Sequence, residues 1–287
     1  MPSTVSARRH WFFQQTPVMP GFGISFGLST LFVSLIILFP LSALLAHVAE
    51  LSWAQYWRAI SDPRVVASYR VTLTGALYSS IAAALIGLLL AWIVTRYEFP
   101  GRRIIDALVD LPFALPTAVA GLTLAVLFAP GGWFGQFFAA HDIKIAYAYP
   151  GIVIAMTFTS LPFVVRTVQP VLLEGDKECE EAARSLGATA FQTFWRITLP
   201  TIVPALVAGT SQAFIRSLGE FGAVIMIAGN MPFRTEVSSL MIFVRLQEFD
   251  YPAASAIASV ILLASLLMLF VLQLIQGRLF PWQRVMR

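Results

Sequence analysis

Charge is scarce in this chain, and so are most of the residues on which soluble chemistry depends. Only 12% of the 287 residues are Asp, Glu, Lys or Arg, while 58% are hydrophobic; an ordinary soluble domain carries about 25% charge. That balance excludes a soluble domain and places the chain in a bilayer. The single cysteine, Cys179, rules out an internal disulfide and any multi-cysteine metal site. It reads as a small buried residue of a short helix. His10, His47 and His141 lie far apart, with neither ligand nor triad spacing. There is no Gly-x-x-x-x-Gly-Lys phosphate loop, so the expectation is a chain with no catalytic residue and no bound cofactor, drawing energy from another chain or an ion gradient. Lysine is nearly absent, with only Lys144 and Lys177. The basic pI of about 9.5 comes from arginines at the ends of apolar runs, where they act as topology signals rather than as a nucleic-acid surface.

What the chain does have is apolar runs of spanning length. Residues 1–21 are polar and aromatic, with Arg8, Arg9 and His10 ahead of the first run. The run from Phe22 to about His47 is too long for a signal core and lacks a convincing small-x-small cleavage site, so it reads as a retained span. Residues 50–69 carry Trp53, Tyr56 and Trp57, which suit a membrane interface. Further spans are expected at about 71–95, 107–129, 145–165, 202–228 and 251–276, for an all-α membrane protein of six transmembrane helices. The 107–129 run is interrupted by Pro112 and Pro116, which a membrane helix tolerates where neighbours satisfy the freed carbonyls. Small residues recur at helical spacing, as in Ala205, Gly209, Ala213 and Ser217, or Ala83, Gly87 and Ala91, and predict close helix packing. With both termini inside, twelve of the 19 basic residues fall on inner segments and six on outer ones, leaving Arg216 within a span. The bias puts both termini and residues 174–200 in the cytoplasm.

Residues 174–200 form the longest polar interruption. Asp176 and three glutamates crowd the start of a short helix, where its dipole favours negative charge. Gly187 is placed to stop that helix in the left-handed conformation, and Thr189 with Gln192 makes a capping box for a second. Glu181, Ala182 and Ala183, then Leu186 and Gly187, then Ile197, Leu199 and Pro200 stand at the spacing of an EAA motif, which resembles the element by which permeases of bacterial ABC importers meet their ATPase.

Two charges lie inside a span. Arg216 is about 21 Å along the helix from Ile202 at about 1.5 Å per residue, and Glu220 about 6 Å farther, on the same face. A charge near a helix centre costs roughly 2.5–3.5 kcal/mol, so its default reading is functional. Arg216, Ser217 and Glu220 are therefore candidates for an anion path, Glu220 keeping the attraction of Arg216 too weak to trap its ligand. The alternative is a structural pair that locks two helices. Asp110 reads as an interfacial residue, and Arg234, Glu236, Arg245, Glu248 and Asp250 as a balanced outer surface.

Three stretches, Asp110–Leu124, Arg216–Gly222 and Ser239–Ala254, together with the EAA spacing, resemble the T (also called U) permease subunits of bacterial sulfate/thiosulfate ABC importers. The resemblance covers about Phe26 to Gln276, with Gly175-Asp176-Lys177 where a Gly-Pro pair is expected. It implies a type I ABC importer permease bundle, with residues 1–22 a cytoplasmic segment, 23–68 the first span and an outer segment, 69–273 the permease domain and 274–287 a cytoplasmic tail. It also implies an inner-membrane, non-catalytic subunit. The partners implied are a homologous W permease subunit, two copies of an ATPase that uses the ATP, and a periplasmic sulfate- or thiosulfate-binding protein; membrane lipid surrounds it and nucleic acid has no part. Molybdate or tungstate as the substrate, and an ion-gradient-driven secondary transporter, stand as alternatives; the latter needs no docking element and more often shows inverted repeats.

Overall fold

In the computed structural model, which describes residues 22–175 and 177–279, the described chain is helical, with no strand among those residues. The expectations for Arg8, Arg9, His10, Asp176, Arg284 and Arg287 lie outside them. The chain divides between Ala46 and His47 into two compact units. In the first lies most of an apolar run, Phe22–Ala49, made of α1 (Phe22–Val33), a π-helical turn (Ser34–Leu38) and α2 (Phe39–Ala49).

The second unit begins with α3 (Trp53–Ser61), started by a Ser52/Gln55 capping box. Then come α4 (Pro63–Arg96), α5 (Arg102–Val109), α6 (Leu111–Ala114), α7 (Thr117–Phe128), α8 (Gly135–Ala139) and α9 (Tyr149–Glu174). The chain continues through α10 (Lys177–Ser185), α11 (Ala190–Thr193), a π-helical turn (Phe194–Thr198), α12 (Leu199–Leu218), α13 (Gly222–Ile227), α14 (Ser238–Gln247) and α15 (Tyr251–Leu279). Five helical runs among the described residues are long and apolar enough to span a membrane.

The central element is α9, flanked by α4 and α12. The rows of small residues make this possible. A Cβ on Gly87 would lie 2.9 Å from the Val164 side chain, and one on Gly209 would lie 2.9 Å from the Val164 Cα. Ala83, Ala91, Ala213 and Ser217 of the same rows are fully buried. Without a hydrophobic drive between helices in lipid, such close approach is what holds them together. Hydroxyls add to it: Ser79 donates to Ser217 at 3.1 Å and Thr72 to Ser238 at 3.1 Å, all buried.

Two expected spans are broken. The 107–129 run is divided among α5, α6 and α7, because Leu115 is extended (φ −89°, ψ 138°) ahead of Pro116 and a residue before proline avoids the helical region. The 202–228 run stops at Leu218 and resumes as α13. Others are longer than expected: α4 starts at Pro63, capped by the Asp62 carboxylate, which accepts the Arg64 and Val65 N–H groups. The boundary expected between residues 68 and 69 therefore falls inside α4.

Candidate functional site

Residues 177–200 fold as a compact helical element at the end of the bundle where α4 and α9 finish and α12 begins. Helix α10 ends in a complete left-handed cap: Gly187 has φ +87°, its N–H donates to Arg184 at 2.9 Å and the Ala188 N–H donates to Ala183 at 3.0 Å. This double bond pattern satisfies the last carbonyls of the helix. Thr189 and Gln192 form the reciprocal capping box that starts α11, and the π-helical turn then leads to Pro200, whose missing N–H disturbs the regular ladder. The element presents two kinds of residue. Glu181, Ala182, Leu186, Gly187 and Pro200 are exposed, Leu186 at 90%. Ala183, Ile197 and Leu199 are half-buried, and Leu199 packs on the cluster formed by Val164, Val168 and Ile202. Phe191 and Trp195 extend the exposed face. Cys179, expected to be buried, is exposed: α10 is polar on most of its surface and lies at the end of the bundle rather than inside it.

Arg216 and Glu220 do meet, with Nη1 to Oε2 at 2.6 Å, but not as neighbours on one continuous helix. Glu220 lies past the end of α12, and its Oε1 accepts the Ala223 N–H at 3.0 Å, so the carboxylate caps the start of α13. Its backbone carbonyl accepts the Ser239 hydroxyl at 2.8 Å. Arg216 sits in the last turn of α12, where the helix dipole favours a cation. Glu220 is 1% exposed and Arg216 33%. Ser217 is fully buried against Ser79 of α4. A separate cleft between α4, α12 and α15 is lined by Leu77, Ser80, Thr210, Ser211 and Phe214; its lining does not include Arg216, Ser217 or Glu220.

Four ion pairs, made by three arginines, were not legible as such in the sequence. Arg166 of α9 donates from Nε and Nη2 to both oxygens of Asp110 at 2.8 and 2.6 Å, and from Nη1 to Asp106 Oδ1 at 2.6 Å. Asp110, read as an interfacial residue, is thus also a clamp partner of Arg166. The i,i+4 pair Asp106/Asp110 was the available signal. Glu236, expected on the outer surface, is 3% exposed and held by two bonds from Arg64 at 2.8 and 2.5 Å. At the root of α10, Arg96 pairs with Glu180. Among the described residues no three His, Cys, Asp or Glu side chains gather in a way that could hold a metal ion.

This arrangement, five apolar helical runs, a proline-broken sixth segment and a capped helical element at one end, is the fold of a type I importer permease. A bacterial ABC transporter involved in the import of the acidic polysaccharide alginate has a chain that matches with a TM-score of 0.75 at 17% identity, over 90% of this chain and 96% of that one. The chain belongs to the family of binding-protein-dependent transport system inner membrane components, whose model matches residues 83–285. It is 64% identical over 261 residues to a sulfate transport system permease protein, CysT, of Escherichia coli (strain K12), covering 91% of this chain and 94% of that one. The corresponding protein of Synechocystis is 46% identical over 86% of each chain. The chain is accordingly a multi-pass membrane permease of a transport system.

Proposed function

We propose that this chain is the transmembrane permease subunit of an ATP-driven importer that carries sulfate or thiosulfate across the inner membrane. The observation that carries the reading is the 64% identity to a sulfate permease across 91% of the chain, a span that includes the capped element at residues 174–200. The chain itself binds no cofactor and hydrolyses nothing. ATP is used by two copies of a partner ATPase, and a homologous W permease subunit completes the membrane pathway. A periplasmic binding protein supplies the affinity; a matched alginate transporter was solved in complex with a ligand-bound periplasmic protein. Both termini face the cytoplasm.

The exposed face of α10 and its cap, Glu181, Ala182, Leu186 and Gly187, seats on the ATPase, with Pro200 at its edge, while Ala183, Ile197 and Leu199 hold the element to the bundle. Closure of the ATPase pair on ATP moves this element and reorients the spans. Arg216 offers positive charge where the helix of the fifth span ends, and Glu220 limits it, so that an anion passes without being held. Ser217 supports this corner from the α4 side. The test is purification of the chain with its partners, followed by ATP hydrolysis in the presence of the binding protein loaded with sulfate, thiosulfate or molybdate. Stimulation by the first two and not by molybdate is expected. Stimulation by molybdate alone overturns the substrate assignment; absence of any ATPase from the purified complex overturns the importer reading.

A further inference from the structure

One carboxylate oxygen at the root of α10 joins three elements. Glu180 Oε1 accepts from Arg96 Nη2 at 2.5 Å, Arg96 being the last residue of the long helix α4. The same oxygen accepts the Thr198 hydroxyl at 2.9 Å, at the point where the π-helical turn passes into α12. The pair is well shielded, with side chains 14% and 12% exposed, and the guanidinium lies over the Trp92 ring at 5.5 Å, a further attraction for a cation. Trp92 in turn meets Phe194 edge to face at 5.2 Å. Thus α4, α10 and α12 are joined by a charged contact, not only by apolar packing.

We propose that the Arg96–Glu180–Thr198 contact is a positioning joint that transmits displacement of α10 to the spanning helices α4 and α12. The inference rests on the importer reading above and adds residues outside the docking face. Two features fit a moving joint better than a static anchor. A cavity of about 120 Å³ adjoins it, lined by Val171 and Leu172 of α9, Thr201 and Ile202 of α12, and the joint itself, which leaves room for displacement. Arg96 Nε is buried without a hydrogen-bond partner, so a shift of α10 can convert the single-toothed contact into a two-toothed one. The two-toothed contact is, in this proposal, the second discrete arrangement that coupling between sites requires. Breaking such a shielded pair leaves one charge uncompensated, whereas the apolar packing around it remains.

The experiment uses the whole complex in proteoliposomes, with sulfate-loaded binding protein, and measures labelled sulfate uptake and ATP hydrolysis on the same sample. Glu180→Gln and Arg96→Gln are expected to assemble, to hydrolyse ATP within about twofold of wild type, and to lower uptake per ATP by roughly tenfold, in the range of ordinary coupling between sites. Thr198→Val, which removes only the bridging hydroxyl, lowers the ratio less. The exchange Arg96→Glu with Glu180→Arg raises uptake above either single reversal. An unchanged ratio of uptake to hydrolysis in Glu180→Gln and Thr198→Val overturns the proposal. So does a loss of uptake that follows loss of assembly in every variant, which marks a structural anchor. Failure of the importer reading is distinguishable, since it is visible in wild type as absence of the ATPase before any variant is made.

Discussion

Removal of Arg216 alone is expected to harm the protein more than removal of Arg216 together with the charge of Glu220. The Glu220 carboxylate is 1% exposed, with Oε1 on the Ala223 N–H and Oε2 2.6 Å from the guanidinium. In Arg216→Ala the carboxylate, 1% exposed in the intact protein, keeps its backbone donor but loses its counter-charge. Breaking a buried pair in this way costs about 3–5 kcal/mol; because the arginine is 33% exposed, the lower end, about 3 kcal/mol, applies. In Arg216→Ala/Glu220→Gln the amide oxygen still caps α13 and no unpaired charge remains. The cost falls to that of one neutral hydrogen bond and some packing, about 1–2 kcal/mol. The assay is thermal unfolding of the purified complex in one detergent, for wild type, both single variants and the double variant. The order expected is wild type, then the double variant, then Arg216→Ala. A double variant at least as unstable as the sum of its parts refutes the argument, because it means that the two side chains act independently.

Other outcomes follow from the same geometry. Gly187 has φ +87° with nothing within 4 Å of an added Cβ, so substitutions there act through the backbone alone: Asn is expected to be tolerated, whereas Ala and especially Val cost roughly 1–2 kcal/mol or more, with the ATPase lost from pull-downs of the Val variant. Gly209→Ala is expected to destabilise by about 1–3 kcal/mol, and more than Gly87→Ala, since it meets the Val164 backbone rather than a side chain; thermal midpoints of the two variants rank them. Arg166→Ala, which frees Asp106 and Asp110, costs about 2 kcal/mol after allowance for partial exposure, and a double-mutant cycle with Asp110→Asn measures the coupling. Thr189→Ala removes the capping box at α11 and costs about 1 kcal/mol, read as increased proteolysis between α10 and α12.

What the sequence made legible was local. Gly187 at a helix end and the Thr189/Gln192 spacing specify backbone geometry within a few residues, and both caps form where that spacing puts them. Rows of small residues predicted which helix faces approach closely, and Gly87 and Gly209 both do so against one valine, Val164. Long-range pairings were not legible. Nothing near Arg166 in the chain marks Asp106 and Asp110 as its partners 60 and 56 residues away, and nothing near Glu236 points to Arg64, 172 residues away. Composition placed Glu236 and Cys179 on the wrong sides of the surface, because burial is decided by which faces meet. The break after Leu218 was hidden for a different reason. Residues 202–228 are apolar enough for one helix, and the break depends on a buried carboxylate that offers the Ala223 N–H a partner outside the regular ladder.

The central claim is that this permease carries sulfate or thiosulfate by coupling to a separate ATPase. The most direct measurement is uptake of labelled sulfate by cells that lack their own copy of this permease, with this chain restored beside its partners. Wild type should restore uptake that thiosulfate competes and molybdate does not, while Gly187→Val is inserted in the membrane and inactive. Restored molybdate uptake without sulfate uptake, or full activity of Gly187→Val, would contradict the account.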